Sequence, residues 1–571
     1  MERIWLKHYD PGVPHTIEYP ELALHQLLED SAHRFPGQTA IIFPGRFGDA
    51  HRMSFAELDR QVNRLANALI QLGVRKGDRV ALLLPNCPQF VISYYAVLKA
   101  GGIVVATNPL YSPREMEFQL NDCGAETIIL LSLFYNTVAG IKGRTSLRNL
   151  VVTNIKEYLP QPSRLLFTLL REKKEGHRAD ISMTTNTYPF QQLLKRFEPT
   201  PPPVTVTPSD NALFQYTGGT TGLSKAAVAT HRAVIANMLQ LKAWGGPINF
   251  KEGEEVVLGV MPLFHVYGMI TVMHTSIAIG SAMVLLPRFE TEQVLKAINQ
   301  YKPIFFPGVP TMYVAINNHP KVSKYDLRSI KACVSGAAPL PVEVQQRFEE
   351  ITGGRLVEGY GLSETTVVTH CNPLTGKRKI GSIGVPFPDV EAKIMDMETG
   401  EKEMPTGEVG ELAVRAPQVM KGYWNRPEET EMVLRNGWLY TGDLATMDED
   451  GFFRIVDRKK EMILAGGFNV YPRDIEEVLY EHPKIKEAVC YGVPDPYRGQ
   501  TVKVAIVLKE GETATEEEII AFCRERLARF KVPKLVEFRE RLPKTPIGKV
   551  LRRVLMEEEE AKRAGEKRGE K

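Results

Sequence analysis

The stretch from Arg79 to Ala106 constrains the fold more than any other part of the chain. Val80-Ala-Leu-Leu-Leu84 is a short apolar run, and Pro85-Asn-Cys-Pro88 breaks it. Phe90 to Ala100 then carries helical spacing and ends at Gly101-Gly102, after which Ile103-Val-Val-Ala106 resumes an extended run. Strand, helix and strand in this succession are the signature of a parallel, doubly wound sheet. Similar apolar runs return at Thr127–Leu131, Val256–Val260, Ala282–Leu286, Ile304–Phe306 and Ala332–Val334, with a helical pattern over Glu292–Tyr301. The expectation is an α/β chain with a large N-terminal domain of doubly wound sheets.

Length bears on how many such bodies there are. At 571 residues the chain exceeds what one hydrophobic core usually serves, so two or more domains are expected. The charge balance, Lys+Arg 71 against Asp+Glu 68, gives a net +3 and argues against a nucleic-acid partner, which needs a concentrated basic face. Cys87, Cys123, Cys333, Cys371, Cys490 and Cys523 include no C-x-x-C pair, which suits a reducing compartment and neither a disulfide framework nor a zinc site. The N-terminus, Met1 to Asp10, lacks the apolar core of a signal peptide. Met269–Leu286 is interrupted by Thr271, His274, Thr275, Ser276 and Ser281, and reads as a buried helix followed by a strand, not a membrane span. A soluble, cytoplasmic protein is expected.

Residues 151–203 differ in texture. Leu165-Leu-Phe-Thr-Leu-Leu170 precedes Arg171-Glu-Lys-Lys-Glu175, and Pro199-Thr-Pro-Pro-Pro203 closes the segment as a semi-rigid connector. A helix packed on its own domain is favoured, with peripheral contact at the inner face of the cell membrane as the other option. Beyond residue 380 the chain becomes glycine-rich and strand-like at Gly381–Val385, Gly407–Val414 and Gly451–Val456, suggesting a small antiparallel subdomain. A compact α+β section follows: a helix starting at Pro472 with Ile475, Val478 and Leu479 on one face, a strand over Val502–Leu508 and a helix over Glu516–Phe530. The domain boundary is placed at Asp457, giving domains 1–456 and 457–571. The sequence is silent on oligomeric state, so a homodimer stays open.

Tyr216-Thr-Gly-Gly-Thr-Thr-Gly-Leu-Ser-Lys225 carries three glycines, three threonines and a lysine with no acidic residue. Gly218, Gly219 and Gly222 permit close approach of main-chain N–H groups to an oxyanion. Thr217, Thr220 and Thr221 offer hydroxyls to phosphate or Mg²⁺, and Lys225 adds positive charge. A phosphate cradle and a solvated Gly/Thr turn both fit this composition. The Walker A spacing is not met, since Leu223-Ser224 separates Gly222 from Lys225. The apolar run Ala212–Tyr216 reads as a strand entering the loop, and Ala226–Leu241 as a helix leaving it.

Further stretches follow in order: Met261-Pro-Leu-Phe-His-Val-Tyr-Gly268, Ser335-Gly-Ala-Ala-Pro-Leu340, Glu358-Gly-Tyr-Gly-Leu-Ser-Glu-Thr365 and Tyr440-Thr-Gly-Asp443. Asp457-Arg-Lys-Lys-Glu-Met-Ile463 with Gly466-Gly-Phe-Asn-Val-Tyr-Pro472, and Pro543-Lys-Thr-Pro-Ile-Gly-Lys549, complete the set. Together with the opening loop they resemble the adenylate-forming enzymes (acyl-CoA synthetases, luciferases and peptide-synthetase adenylation domains), and most of all bacterial long-chain fatty acid–CoA ligases. The resemblance runs from about residue 20 to about residue 555. It implies ATP-dependent formation of an acyl-adenylate from a fatty acid, then thioester formation with coenzyme A, with Mg²⁺ as metal. It also implies a small, mobile C-terminal domain.

By that resemblance, Thr217 to Lys225 holds the β- and γ-phosphates. Thr220 and Glu364 are the metal contacts, Thr365 meets the α-phosphate beside Ser363, and Tyr360 stacks on adenine. Glu358 and Gly359 lead into that tyrosine, and Gly336 and Ala337 pass the same base. Asp443 accepts from the ribose hydroxyls, a task for a charged two-oxygen acceptor. Arg458 assists at the ribose and Lys460 contacts the nucleotide. Lys549 bridges the carboxylate and α-phosphate in the first step only. Asp457 is the hinge, and rotation there brings the face around Gly466 and Gly467 toward coenzyme A. His265 has a positional role, because the substrate carboxylate is already ionised at neutral pH.

The chain departs from the family pattern in two places. Ala226-Ala-Val replaces the commoner Lys-Gly-Val after the loop, and Met269 stands where some long-chain ligases carry a gating tryptophan. An apolar tunnel is still expected, while a gate of the tryptophan kind is in question. The competing readings are an acyl-CoA synthetase for medium-chain or aryl acids, and a nucleotide-regulated binding protein without turnover.

Overall fold

The computed structural model describes residues 3–181, 185–217, 224–465, 468–495, 499–545 and 550–569. They divide into two compact units: Met1–Glu391 with Arg415–Gly437, and Ala392–Val414 with Trp438–Lys571.

The first unit is built on the unit read between Arg79 and Ala106. The strands Arg79–Leu83 and Ile103–Ala106 pair in parallel, Val80 opposite Val104, at the centre of a large sheet. Parallel strands continue outward on one side as Thr127–Leu131, Asn149–Thr153 and Thr187–Pro189, and on the other as Asn211–Thr217. The strands Lys225–Thr230 and Gly422–Tyr423 then close that second side antiparallel. The helix Pro88–Lys99 that joins the two central strands is buried along its whole length, which is why its sequence is apolar all round instead of striped. Its one charge, Lys99, donates to Asp59 at 2.6 Å and Asn63 at 2.7 Å, so the buried ammonium is satisfied.

A second sheet sets Val256–Gly259, Ala282–Leu285 and Thr39–Pro44 in parallel, with Ala50–Ser54 antiparallel at its edge. A third pairs Ala332–Ser335 in parallel with Arg355–Gly361, then Val368–Cys371 and Val385–Pro386 antiparallel. The run Ile304–Phe306 is reduced to a bridge in which Phe305 joins Val257 to Ala332. Pro303 and Pro307 flank it and cannot donate to a ladder, which limits its length.

Two readings are corrected. Ala226 to Thr230 is a strand, and the helix begins only at His231, capped by Thr230, whose hydroxyl accepts from Ala233 N–H at 3.2 Å. The stretch leading to Val385 does not join the small antiparallel subdomain; Val385–Pro386 pairs with Val368–Cys371 in the first unit.

In the second unit, Gly410–Arg415, Trp438–Met447 and Phe453–Arg458 run antiparallel, with Glu391–Met395 alongside. The chain then forms another sheet, of Ile463–Ala465, Phe468–Val470, Ile485–Asp495, Gly499–Leu508 and Leu535–Phe538. Its long strands alternate between two cores. Cys490, Val502, Val504 and Ile506 face the helices Pro472–Tyr480 and Glu516–Arg526. Tyr491, Val493, Ala505 and Val507 face Leu542 and Leu555. Strands covered on both sides are apolar at successive positions, as Val504–Leu508 is.

All six cysteines are buried and unpaired, and burial pushes the Cys87 and Cys123 thiols up to about 12. Among the described residues no helix is long and apolar enough to cross a membrane.

Candidate active site

In the first unit, Thr217, Lys225 and the turn Ser363–Thr365 lie together towards one edge of the large sheet. Asn211–Thr217 and Lys225–Thr230 form a hairpin, Tyr216 opposite Ala226 and Thr217 opposite Lys225, so the Gly/Thr segment is the connection between two antiparallel strands. The Ser224 hydroxyl donates to Thr217 O at 2.6 Å and fastens the base of that connection. Gly218, Gly219, Thr220, Thr221 and Gly222 lie outside the described residues.

The turn Ser363–Thr365 packs against both hairpin strands. The Thr365 hydroxyl accepts from Leu362 N–H at 3.0 Å and donates to Leu362 O at 3.1 Å, closing this turn, and Met420 N–H donates to Glu364 O at 2.7 Å. The Glu364 carboxylate accepts from the Tyr423 hydroxyl at 2.7 Å. Lys225 stands 5.3 Å from the Tyr423 ring and pairs with Glu429, whose other oxygen lies 3.8 Å from Arg426. Arg426 in turn reaches Asp122 at 2.7 Å, and Tyr216 donates to the same carboxylate at 2.7 Å. The cationic and anionic site residues are thus locked in one chain of contacts, which fixes them before any ligand arrives.

Backbone strain sits in the same region. Thr366 has φ 65° and Ala337 φ 68°, left-handed values that are rare for a β-branched residue and uncommon for alanine. Thr366 is held there by its hydroxyl, which donates to Gln418 O at 2.6 Å. Gly361 is required by close approach, since a Cβ on it would lie 1.4 Å from Val367 O. The same holds for Gly268, where a Cβ would lie 2.5 Å from the carbonyls of Met261 and Pro262.

Tyr360 pairs with His370 across the strands, their rings 5.9 Å apart. Glu358 is buried and accepts from Leu340 N–H at 3.4 Å, tying the Ser335–Leu340 segment to the tyrosine strand. Gly336 lies against the Tyr267 ring, 3.4 Å from where its Cβ would be. His265 caps the short helix Val266–Gly268, its Nδ1 accepting from Tyr267 N–H at 3.2 Å. Burial holds its imidazole down to about 4, so it is neutral at pH 7.

In the second unit Asp443 and Arg458 are cross-strand partners, with Nε 3.2 Å from the carboxylate, and the Asp443 side chain is 6% exposed. Gly442 precedes it at φ 72° and donates to Glu411 at 3.0 Å; Lys459 binds the other Glu411 oxygen at 2.8 Å. A two-oxygen acceptor beside a guanidinium, on a rigid strand, suits a vicinal diol. Lys460 is exposed on the turn after Arg458. Gly466, Gly467 and Lys549 lie outside the described residues.

Sequence reasoning missed Tyr423, Glu429, Asn86 and Asn237. Asn86 holds Gly259 and Met261 carbonyls at 3.1 and 2.9 Å and accepts from Leu263 N–H at 2.8 Å, positioning the segment before His265. Asn237 clasps Val368 through its carbonyl at 2.7 Å and its N–H at 3.0 Å. Only the break Pro85-Asn-Cys-Pro88 hinted at Asn86, and nothing in the spacing marked the others.

Among the described residues no cluster of three or more acidic, histidine or cysteine side chains could cage a metal. Glu364 offers a single carboxylate, and Mg²⁺ takes one or two protein oxygens and completes its shell with phosphate and water.

Doubly wound sheets, a carboxylate beside a Gly/Thr hairpin connection, and a separate unit presenting an Asp–Arg pair together describe a nucleotide-activating fold. The chain belongs to the AMP-binding enzyme family, whose profile matches residues 28–424; the AMP-binding enzyme C-terminal domain matches 474–549. It is 50% identical over 560 residues to the long-chain-fatty-acid–CoA ligase of Bacillus subtilis (strain 168), covering 98% of each chain. It is 36% identical over 503 residues to the feruloyl-CoA synthase of Amycolatopsis sp, covering 88% of this chain and 92% of the relative. Among solved structures, the anthranilate CoA ligase AuaEII in complex with anthranoyl-AMP matches with a TM-score of 0.83 at 27% identity, over 95% of this chain and 98% of that one.

Proposed function

We propose that this chain is a long-chain fatty acid–CoA ligase. It joins a fatty acid to the α-phosphate of ATP, releasing pyrophosphate, and then passes the acyl group to the coenzyme A thiol, releasing AMP. The observation that carries the reading is the convergence of Glu364, Thr365 and Lys225 on the hairpin Asn211–Thr230. Hairpin N–H groups, the Thr217–Thr221 hydroxyls and Lys225 grip the departing pyrophosphate. Glu364 and Thr220 would hold Mg²⁺, which would supply charge neutralisation at the phosphates. Tyr360, Gly336 and Ala337 border the adenine, while Asp443 and Arg458 take the ribose. Both steps gather negative charge, so the side chains serve as donors and cations, and no protein nucleophile is needed. His265, neutral and capping a helix, orients the acyl carboxylate.

Lys549 acts in adenylation, and residues 457–571 turn about Asp457 between the steps, bringing Gly466 and Gly467 toward coenzyme A. The protein is cytoplasmic and touches the membrane peripherally through the helix Ser163–Leu170, where Leu165, Leu169 and Leu170 are exposed next to Arg164 and Arg171.

Pyrophosphate release with a panel of C2 to C18 acids tests the assignment. Release should peak with the long chains; a peak on benzoate-like or medium-chain acids would replace the substrate class, and no release with any acid would remove the activity. Lys549→Ala should abolish adenylation and spare thioester formation from preformed acyl-AMP.

A further inference from the structure

Three carboxylates of the second unit converge on one guanidinium. Arg552 opens the C-terminal helix Arg552–Gly569, three positions beyond Lys549 in the sequence. Its Nη2 donates to both Glu476 oxygens at 2.7 Å, its Nη1 donates to Glu461, and Asp457 lies 3.9 Å from that same nitrogen. The side chains are largely withdrawn from water: Arg552 is 18% exposed, Glu461 16%, Glu476 15% and Asp457 3%.

The acids come from separate elements. Asp457 is near the end of the strand Phe453–Arg458, Glu461 is on the turn after it, and Glu476 is in the helix Pro472–Tyr480. Two of them also grip main chain. Asp457 accepts from Arg458 N–H at 2.7 Å and Arg473 N–H at 2.9 Å, and Glu476 accepts from Cys490 N–H at 2.7 Å. Asp457 is where the chain leaves one sheet of this unit for the other, and Arg552 ties that crossing to the start of the last helix.

We propose that Arg552 is a positioning residue that fastens the start of the helix Arg552–Gly569 to the hinge segment Asp457–Glu461, and that adenylation by Lys549, three positions earlier in the sequence, depends on this tie. The inference rests on the roles of Lys549 and Asp457 given under Proposed function. Burial pushes the Glu476 carboxyl well above the ordinary carboxylate range and Asp457 in the same direction. Without the guanidinium these groups would face one another unbalanced, and the start of the helix would lose its hold on them. Only arginine can fork to Glu476 with one nitrogen and reach Glu461 with another; a lysine keeps the charge and loses the fork. A displaced lysine would weaken phosphoryl chemistry, which depends on placement within about 1 Å.

The test uses the full-length protein and measures the half-reactions separately: pyrophosphate release from ATP and fatty acid, and coenzyme A-dependent consumption of preformed acyl-AMP. Arg552→Met should lower kcat for adenylation by roughly 10- to 100-fold with the KM for ATP changed less than about threefold, and leave the thioester step within about threefold. Arg552→Lys should fall between. Glu461→Gln, which leaves the Glu476 pair in place, should shift adenylation in the same direction by a smaller factor, and it keeps the question decidable if Arg552→Met fails to fold. Equal loss in both half-reactions, or no selective loss of adenylation in Arg552→Lys and Glu461→Gln, would overturn the proposal. Lys549→Ala is run in parallel: if that variant still adenylates, the reading of Lys549 is what fails.

Discussion

Tyr423 donates to Glu364 at 2.7 Å, and burial followed by that carboxylate's charge pushes its phenol far above the ordinary range. It therefore stays a donor at every working pH and holds the carboxylate in one rotamer. Tyr423→Phe removes a hydrogen bond to a charged group, worth about 1.5–3 kcal/mol, so kcat/KM for adenylation should fall roughly 10- to 100-fold. Pyrophosphate release at varied Mg²⁺ and ATP checks this, and an unchanged kcat/KM would remove Tyr423 from the site. Glu364, Asp443 and Lys225 were legible in the sequence because each stands inside a recognisable stretch. Tyr423 and Glu429 were not, because what brings them to Glu364 and Lys225 is the edge strand Gly422–Tyr423 pairing onto Lys225–Thr230, a contact between distant parts of the chain. Periodicity reports which face a residue takes, not which distant strand lies beside it.

Among the elements, the turn that presents Glu364 is the most tightly built. Gly361 lets the strand Arg355–Gly361 pass directly under Val367 O, and Thr366 completes the reversal at φ 65°. Gly361→Ala has no room for its methyl group and should destabilise the protein by about 3 kcal/mol while displacing Glu364 and Thr365. Thermal unfolding and pyrophosphate release should both register it; a variant with wild-type melting and activity would contradict the close approach. The hairpin gives the counterexample in reading. Ala226-Ala-Val-Ala is rich in the best helix former, yet it is a strand, because Asn211–Thr217 offers it a ladder and burial on both sides. The central strands and the helix Pro88–Lys99 were legible because long apolar runs with proline and glycine punctuation leave few alternatives.

At the scale of the molecule, acid is the predicted weakness. Burial lowers His231, His274 and His370 to about 3. The unfolded chain takes up these protons near pH 6.5, whereas the folded chain resists them until about pH 3. Folding is therefore unaffected above roughly pH 7 and weakens as pH falls through that window, by up to about 1.4 kcal/mol per pH unit for each histidine. Thermal unfolding at pH 7, 6, 5 and 4 should show a falling Tm, and a flat profile would mean that these imidazoles are charged in the fold.

The six sequestered cysteines carry a consequence of another kind. An enzyme that makes an acyl-adenylate and hands it to a thiol holds a strong acylating agent in reach of its own side chains. With every cysteine inside and the Cys87 and Cys123 thiols held near 12, the only competent sulfur the intermediate meets is the one on its second substrate. The protein's own thiols are thereby kept from competing with coenzyme A for the acyl group.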